Sequence, residues 1–513
     1  MHLLLNVRFD AREKKPLYRI FSEAIREAIS EGRLKPGDAL PTIRNFAQQY
    51  SIGRSTALRC YEDLLSQGVV ETRLRVGTCV SRLSTQSNLD FSPRRIDAPV
   101  PLSEFGARVL SGDARDISGA SQWFTSFSPD LQIADQIKRS FSRLSDSFAD
   151  ESKTLNEMDS LGYRPLRSQM EDYLRRTRAV KASADRIVVS SISDIELLIR
   201  LLVEPGDVVA LEDPDNTQIR RIFEINGAST KLIPVDSSGL CVSELQQLQS
   251  PVKLVYVTPS HQDPTGVTMT LQRRHELIEW ACRNNAIIIE DDSNSEFSYT
   301  SLPLPAIQAL DKSNLVIYLS STWRLLEPLI RLSVAVLPER LIKTFARAKR
   351  ITSSNSSLLD QMILSDLMQD GRLERHFFKT KCILAKRRQA LIFNLALELG
   401  RLVSIAKTHS GTNIQVAFSK QLQDPLIISA AKDAGLLLIA LSRTESESHS
   451  GQYLISFSHC DEPELIEHVK LFGNTCRNIV TPQASPLQAS DDSAALKVNA
   501  ELYLSNPAID TIP

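Results

Sequence analysis

The sequence predicts an α/β protein: a large domain on a mainly parallel sheet, preceded by a small helical unit that closes on a β-ribbon. Three observations carry this. A chain of 513 residues exceeds what one hydrophobic core usually organises. From about 121 to 478, short β-branched runs (IVV at 187–189, VVAL at 208–211, KLVYV at 253–257, AIIIE at 286–290, LVIYL at 315–319) alternate with helical stretches. That alternation is the signature of parallel strands covered by helices on both faces. Residues 10–82 instead carry only helical periodicity and two short runs at their end.

The first helix follows Pro16, where Leu17, Ile20, Phe21, Ala24, Ile25, Ala28 and Ile29 form an i, i+3, i+4 stripe stopped by Gly32. After the turn KPGDALP, a second helix (about 42–49) and a third (about 54–67) are separated by YSIGR, with Ile52 and Gly53 at the bend. Two short helices at so tight a turn are a helix-turn-helix arrangement, whose second helix enters the DNA major groove. That helix opens with Arg54, Ser55, Thr56 and Arg59. Arginine donates bidentately to guanine or clamps phosphate, and hydroxyls bond phosphate oxygens or base edges. The segment VVETRLRVGTCV reads as two strands that place Arg73 and Arg75 near the tip, suited to the minor groove or the DNA backbone. Residues 83–120, with SRLSTQSNLDFSPRRIDAPVP, read as a linker, and 479–513 as a disordered polar tail.

Hydrophobic content of 42% and charged content of 24% are those of a soluble globular protein, and the net charge of -1 requires any DNA affinity to be local. It is local: residues 1–85 hold 14 Lys and Arg against 9 Asp and Glu, a net of +5. No apolar run is long enough to span a bilayer, and the MHLLL start lacks a basic flank and h-region, so a cytoplasmic location without membrane attachment is expected. Cys60, Cys79, Cys241, Cys282, Cys382, Cys460 and Cys476 are odd in number and form no C-x-x-C pair. This argues against a disulfide framework or a metal site, and most are expected to be buried small hydrophobes.

The first unit resembles the GntR-type winged helix, whose usual wording is PGxxLPSxRxLA, VSRxTVxxAYxxLxxxGxV and a wing ending GxGTxV. Pro36, Gly37, Leu40, Pro41, Arg44, Arg54, Thr56, Tyr61, Leu64, Gly68, Gly77 and Thr78 match over about 70 residues. The resemblance implies that Arg44, Arg54, Ser55 and Thr56 are the main DNA contacts, with Arg59 beside them and Arg73, Arg75 and Gly77 in the wing. Gly53 replaces the usual Ser or Thr cap, a change worth up to about 1 kcal/mol, and Arg75-Val76 replaces the wing's usual Gly-Arg.

The segments GYRPLRSQMEDYL, LVEPGDVVALEDP, VTPSHQDPTGVTM, IIIEDDSNSEF and YLSSTWRLLEPLIRL resemble, in order and spacing, class I aminotransferases of the fold-type-I pyridoxal-phosphate (PLP) transferases. A winged helix linked to such a domain is the architecture of the MocR branch of GntR regulators. The resemblance implies a PLP-dependent transferase fold for 121–478, joined by the linker to a winged helix at 10–82. It also places the Schiff-base lysine at Arg324, anchored by Pro328 and Arg331. A guanidinium stays protonated and has no lone pair to attack an aldehyde, whereas a lysine can be desolvated until neutral. Neighbouring cofactor contacts change with it. Ser293 and Asn216 stand where tyrosines are usual, Ile192 and Asp194 interrupt the phosphate cup, and Asp263 adds a carboxylate in HQDPTG. Asp291 and Arg331 remain at the positions that hold the pyridine nitrogen and the phosphate.

No covalent PLP adduct is expected, and non-covalent PLP is disfavoured. His261 stands alone in a proline-flanked loop and is read as a loop hydrogen bonder. The expected protein is a DNA-binding transcriptional regulator, homodimeric, non-enzymatic and without a metal, whose degenerate aminotransferase-like domain senses a small anionic ligand. An active aminotransferase and a purely dimerising domain are the rivals.

Overall fold

The structure is a computed structural model that describes residues 16–73, 76–81, 102–111, 131–151, 159–190, 193–293, 295–299, 303–321, 326, 329–352, 356–406, 410–419, 421–422, 424–441 and 451–480. The chain divides into two compact units, Met1–Pro101 and Leu102–Pro513.

In the first unit, α1 (Leu17–Ser30), α2 (Ile43–Gln49) and α3 (Arg54–Ser66) precede β1 (Val70–Arg73) and β2 (Gly77–Val80). Pro16 is the N-cap of α1, and its fixed φ suits the entry. Thr42 caps α2 by accepting from the Asn45 amide at 3.3 Å. The turn into α3 passes through Ser51 in the left-handed region (φ 50), so the tight bend is made one residue before Ile52 and Gly53. Gly53 caps α3 without a side-chain bond.

Three helices and a ribbon this small need a dense core, and aromatic rings supply it. Phe21, Phe46 and Tyr61 are buried, with centroids 5.6 Å apart for Phe21–Phe46 and 5.4 Å for Phe46–Tyr61, both edge-on. The Tyr61 hydroxyl donates to the Pro41 carbonyl at 2.7 Å, tying α3 to the turn before α2. The wing pairs antiparallel with Val70 opposite Val80 and Arg73 opposite Gly77. It is anchored by the Leu40 amide donating to the Thr78 carbonyl at 2.8 Å.

The second unit contains β3 (Ile187–Ser190), β4 (Val208–Asp213), β5 (Ser229–Asp236), β6 (Gly239–Leu240), β7 (Val252–Val257), β8 (Ile287–Asp291), β9 (Val316–Ser320), β10 (Ser333–Val336), β11 (Val403–Ile405), β12 (Asn413–Phe418), β13 (Leu438–Ala440) and β14 (Gln452–Ser456). The large sheet runs β3-β10-β9-β8-β7-β4-β5-β6. Strands β9, β8, β7, β4 and β5 are parallel to their neighbours in that series, whereas β10 is antiparallel to both β3 and β9. All five runs read as strands in the sequence lie in this sheet. A second, antiparallel sheet (β11-β12-β14-β13) forms a small lobe with the helices Arg372–Leu399, Asp424–Asp433 and Glu462–Val480.

Strand alternation sorts the large core into two faces. Leu254, Tyr256 and Ile289 pack on one side, and Val255, Val257 and Ile288 on the other. The order reverses between β4 and β7, where the chain leaves β4 for β5 on one side and later returns on the other. Such a switch point opens a crevice at the carboxyl ends of the strands.

Two boundaries differ from the sequence reading. Residues Glu104–Ser111, inside the expected linker, form a helix, because the Ser103 hydroxyl accepts from the Gly106 amide at 3.1 Å and starts the turn. The Arg108 guanidinium then donates to the Ile225 carbonyl at 2.9 Å, so this stretch belongs to the second unit. The helix Glu462–Val480 runs past the expected start of the tail at 479, and 481–513 lie outside the described residues. Four of the seven cysteines, Cys60, Cys79, Cys460 and Cys476, are buried.

A Tyr61→Phe substitution removes the hydroxyl while leaving the Pro41 carbonyl buried. It is expected to destabilise the first unit by about 1–2 kcal/mol, read as a lower midpoint for that unit in denaturant melts followed by circular dichroism.

Candidate functional site

Three places carry candidate chemistry. The first is the outer face of the winged unit. Arg54, Ser55 and Arg59 are exposed on α3, Arg44 is exposed on α2, and Thr56 is half-buried beside them. The stripe Ala57, Cys60, Tyr61 and Leu64 points into the core, which forces the Arg54–Arg59 face outward. In the wing, Gly77 has φ +96, which an L side chain rarely adopts, and opens the ribbon's return strand. Arg73 is half-buried and donates from Nε to Glu71 at 2.9 Å, an arrangement absent from the sequence reading. Arg75 lies outside the described residues.

The second is the crevice at the ends of β4, β7 and β8. Leu211, Glu212, Asp215, Asn216, Tyr256, Thr258 and Asp263 enclose a cavity of about 10 Å³, room for little more than one water. Asn216 Nδ2 donates to Asp263 Oδ2 at 2.9 Å, while its Oδ1 accepts from the Gln218 amide at 3.1 Å and caps the helix Thr217–Ile225. Glu212 is buried and accepts from the Thr258 amide at 3.1 Å and hydroxyl at 2.5 Å. Burial pushes its carboxyl up to about 7 against these hydrogen bonds, and burial likewise raises Asp215 to about 6 despite Arg220. Asp291, at the end of β8, accepts from the Tyr256 hydroxyl and from the Ser293 hydroxyl and amide.

Thus Asn216 and Asp263 meet directly, and Tyr256, which lines the same cavity, donates to Asp291, which also accepts from Ser293. Arg331 is exposed. Arg324 and Ile192 lie outside the described residues, as does the side chain of Asp194 in the helix Ser193–Leu202. His261 is buried, and its Nδ1 lies 2.8 Å from Ser410 Oγ, which donates to the Gly266 carbonyl at 3.0 Å. A Cβ on Gly411 would come within 2.1 Å of the His261 ring, so only glycine fits.

The third is a cavity of about 330 Å³ that no motif in the sequence announced. Its walls are the end of the helix Arg164–Arg178 (Tyr173, Arg176, Arg178), the loop after β8 (Ser295, Glu296) and the start of Arg372–Leu399 (Glu374, Phe377, Lys381). Behind it, Arg178 Nε donates to Asp292 Oδ2 at 2.6 Å, and the Tyr318 hydroxyl donates to the same oxygen at 2.7 Å. Burial lowers the Lys381 ammonium and raises the Glu296 carboxyl. Arg178 and Asp292 are separated by over a hundred residues, and nothing in either local sequence signals the pair.

The raised Glu212 binds a proton in the folded chain between about pH 4.5 and 7 that the unfolded chain releases, so stability falls as pH rises through that window. Glu212→Gln removes this contribution. Its melting temperature is expected to fall less than that of the unaltered protein from acid to neutral pH, and parallel profiles would contradict the assignment.

The comparisons with known proteins follow the same division. Residues 17–80 match the family described as bacterial regulatory proteins, gntR family, and residues 127–421 match aminotransferase class I and II. The chain is 28% identical over 468 residues to the HTH-type transcriptional regulator YdeL of Bacillus subtilis, covering 89% of this chain and 96% of that one. It is 29% identical to the probable rhizopine catabolism regulatory protein MocR of Rhizobium meliloti (83% and 87% covered). It is 26% identical to the pyridoxine biosynthesis regulator PdxR of Corynebacterium glutamicum (72% and 76%). Among solved structures, the kynurenine aminotransferase of Pyrococcus horikoshii superposes with a TM-score of 0.63 at 24% identity, over 72% of this chain and 96% of that one. That likeness gives the fold, a fold that normally holds PLP. With a gntR-family winged helix fused to a class I and II aminotransferase domain, the chain belongs to the MocR-type GntR transcriptional regulators.

Proposed function

We propose that this DNA-binding regulator reads its operator through Arg44, Arg54, Ser55, Thr56 and Arg59, with Arg73, Arg75 and Gly77 at the wing, and that its aminotransferase-like domain senses and dimerises without converting a substrate. The observation that carries the first part is the open face of α3: its apolar stripe is spent on the core, leaving Arg54, Ser55 and Arg59 outward. Arginine at a helix start can meet guanine bidentately or clamp a phosphate. A homodimer suits paired half-sites. A cytoplasmic location suits a DNA reader, and among the described residues no helix is long and apolar enough to cross a membrane. The domain limits proposed are 10–82 for the DNA reader and, in place of the 121–478 expected from sequence, 102–480 for the aminotransferase-like domain, which takes in the helices Glu104–Ser111 and Glu462–Val480.

The non-enzymatic part rests on Arg324, which stands at the lysine position and offers no amine to an aldehyde. The described crevice residues do not fit PLP. Glu212, Asp215 and Asp263 surround a space of about 10 Å³, room for little more than a water and none for a phosphate. Asp291 already accepts from Ser293 and Tyr256. A small ligand with an anionic group finds more room in the 330 Å³ cavity, where Arg176 and Lys381 supply positive charge beside the carboxylates of Glu296 and Glu374, Arg176 lying 3.5 Å from Glu374, and Phe377 forms an apolar wall. Because that cavity joins the large and small lobes, its occupant would favour one lobe arrangement over others.

Arg54→Ala is expected to weaken operator retention by about 5–150-fold, from a loss of about 1–3 kcal/mol, in gel-shift titrations with a correctly folded variant; unchanged retention would remove α3 from the interface. Protein purified without added PLP is expected to be colourless and, after borohydride, to carry no PLP adduct by intact mass; an adduct fixed in the protein as isolated would restore the enzymatic reading.

A further inference from the structure

We propose that His459, Cys460 and His468 form a site in the small lobe for a soft divalent transition-metal ion of the zinc type. His459 and Cys460 lie on the turn between β14 and the helix Glu462–Val480, and His468 stands on the second turn of that helix. One ligand atom from each lies within 4.8 Å of the other two. The turn folds back on the helix, so residues eight and nine apart in sequence meet without the C-x-x-C spacing by which zinc sites are usually read.

The second observation concerns what these imidazoles lack. The Nδ1 atoms of His459 and His468 are both buried without a hydrogen-bond partner. A buried polar atom without a partner is costly, and here two occur close to a thiol. The His459 Nε2 lies 3.3 Å from the Gly435 carbonyl. Donation there puts the proton on Nε2 and leaves the Nδ1 lone pair free, the arrangement in which a backbone carbonyl orients a metal-binding imidazole. Gly435 serves the other histidine as well. Its φ is +79, and a Cβ would come within 3.0 Å of Cε1 and Nε2 of His468, so the bare backbone makes room for that ring.

Two imidazoles and a thiolate select zinc, cobalt or copper over magnesium and calcium, which take oxygen ligands. Zinc holds nitrogen at about 2.0–2.1 Å and sulfur at about 2.3 Å, so the ligand atoms must draw inward by about 1 Å on loading. Cys460 gives up its S–H proton to solvent as the metal–sulfur bond forms. Three protein ligands leave a fourth position for water or an outside ligand. Arg387, whose Nη1 donates to the Ser458 carbonyl at 3.2 Å, places a positive charge nearby and opposes loading. Glu464 supplies the nearby negative charge.

The test uses untagged full-length protein stripped with a chelator and titrated with Co²⁺, then Zn²⁺. One equivalent of Co²⁺ per chain is expected, with strong tetrahedral ligand-field bands and a thiolate-to-cobalt charge-transfer band, both displaced by Zn²⁺. Cys460→Ser is expected to abolish the charge-transfer band, and His459→Ala or His468→Ala to weaken binding by about 10–100-fold. Cys282→Ser, at an exposed cysteine elsewhere, is expected to change nothing. Weak octahedral bands without the thiolate band in the unaltered protein would overturn the proposal whatever the variants' folding, and so would tight binding that survives in folded His459→Ala. Operator retention is read separately, so this site and the DNA-reading face stand or fall independently.

Discussion

The second unit turns on the buried ion pair between Arg178 and Asp292. Both side chains are almost wholly removed from water, and the pair closes a junction of three elements: the end of the helix Arg164–Arg178, the residue after β8, and Tyr318 in β9. Desolvating two charges is costly, and their attraction compensates only with good geometry and satisfied neighbours. Here the guanidinium donates from two nitrogens to the carboxylate and the tyrosine bonds it too. Removing either partner would leave the other buried and charged, a loss of about 3–5 kcal/mol. The carboxyl end of β8 is therefore fixed. Asp291 faces Tyr256 on one side of it, while Asp292 faces Arg178 on the other, with the larger cavity beyond.

Most of the fold was legible because it follows from periodicity. The apolar stripe of α1 and the β-branched runs of β3, β4, β7, β8 and β9 are local patterns, and local patterns survive in the sequence. For the chemistry, the sequence speaks only through what a residue type implies alone, as with the guanidinium of Arg324, a residue outside those the structure describes. The pairing of Asn216 with Asp263, the burial of Glu212 and the ion pair of Arg178 are long-range facts, fixed by strands that meet across the sheet. The helix within the expected linker was missed because one hydroxyl, that of Ser103, outweighed a Pro- and Ser-rich setting.

The crevice at the switch point is set by the fold before any residue in it is chosen. Parallel strands bring their carboxyl ends together whatever residues stand there. In this chain those ends carry Glu212, Asp263 and Asp291, which accept hydrogen bonds from Thr258, Asn216, Ser293 and Tyr256, and Asp215, which lies against the Arg220 guanidinium as a charge pair. Most of these carboxyl groups are taken up by internal contacts.

The suture of His261 to Ser410 gives the two lobes a mechanical character. Gly411 lets the imidazole sit against the small lobe's backbone at a distance no side chain would permit, so the joint cannot press closer. Pulling it apart is no easier, because Ser410 also donates to the Gly266 carbonyl, the Gly411 amide to the Phe297 carbonyl and the Tyr299 hydroxyl to the Gly411 carbonyl, so several hydrogen bonds must break together. The joint therefore resists both compression and tension, and relative movement of the lobes has to be taken up elsewhere in the domain.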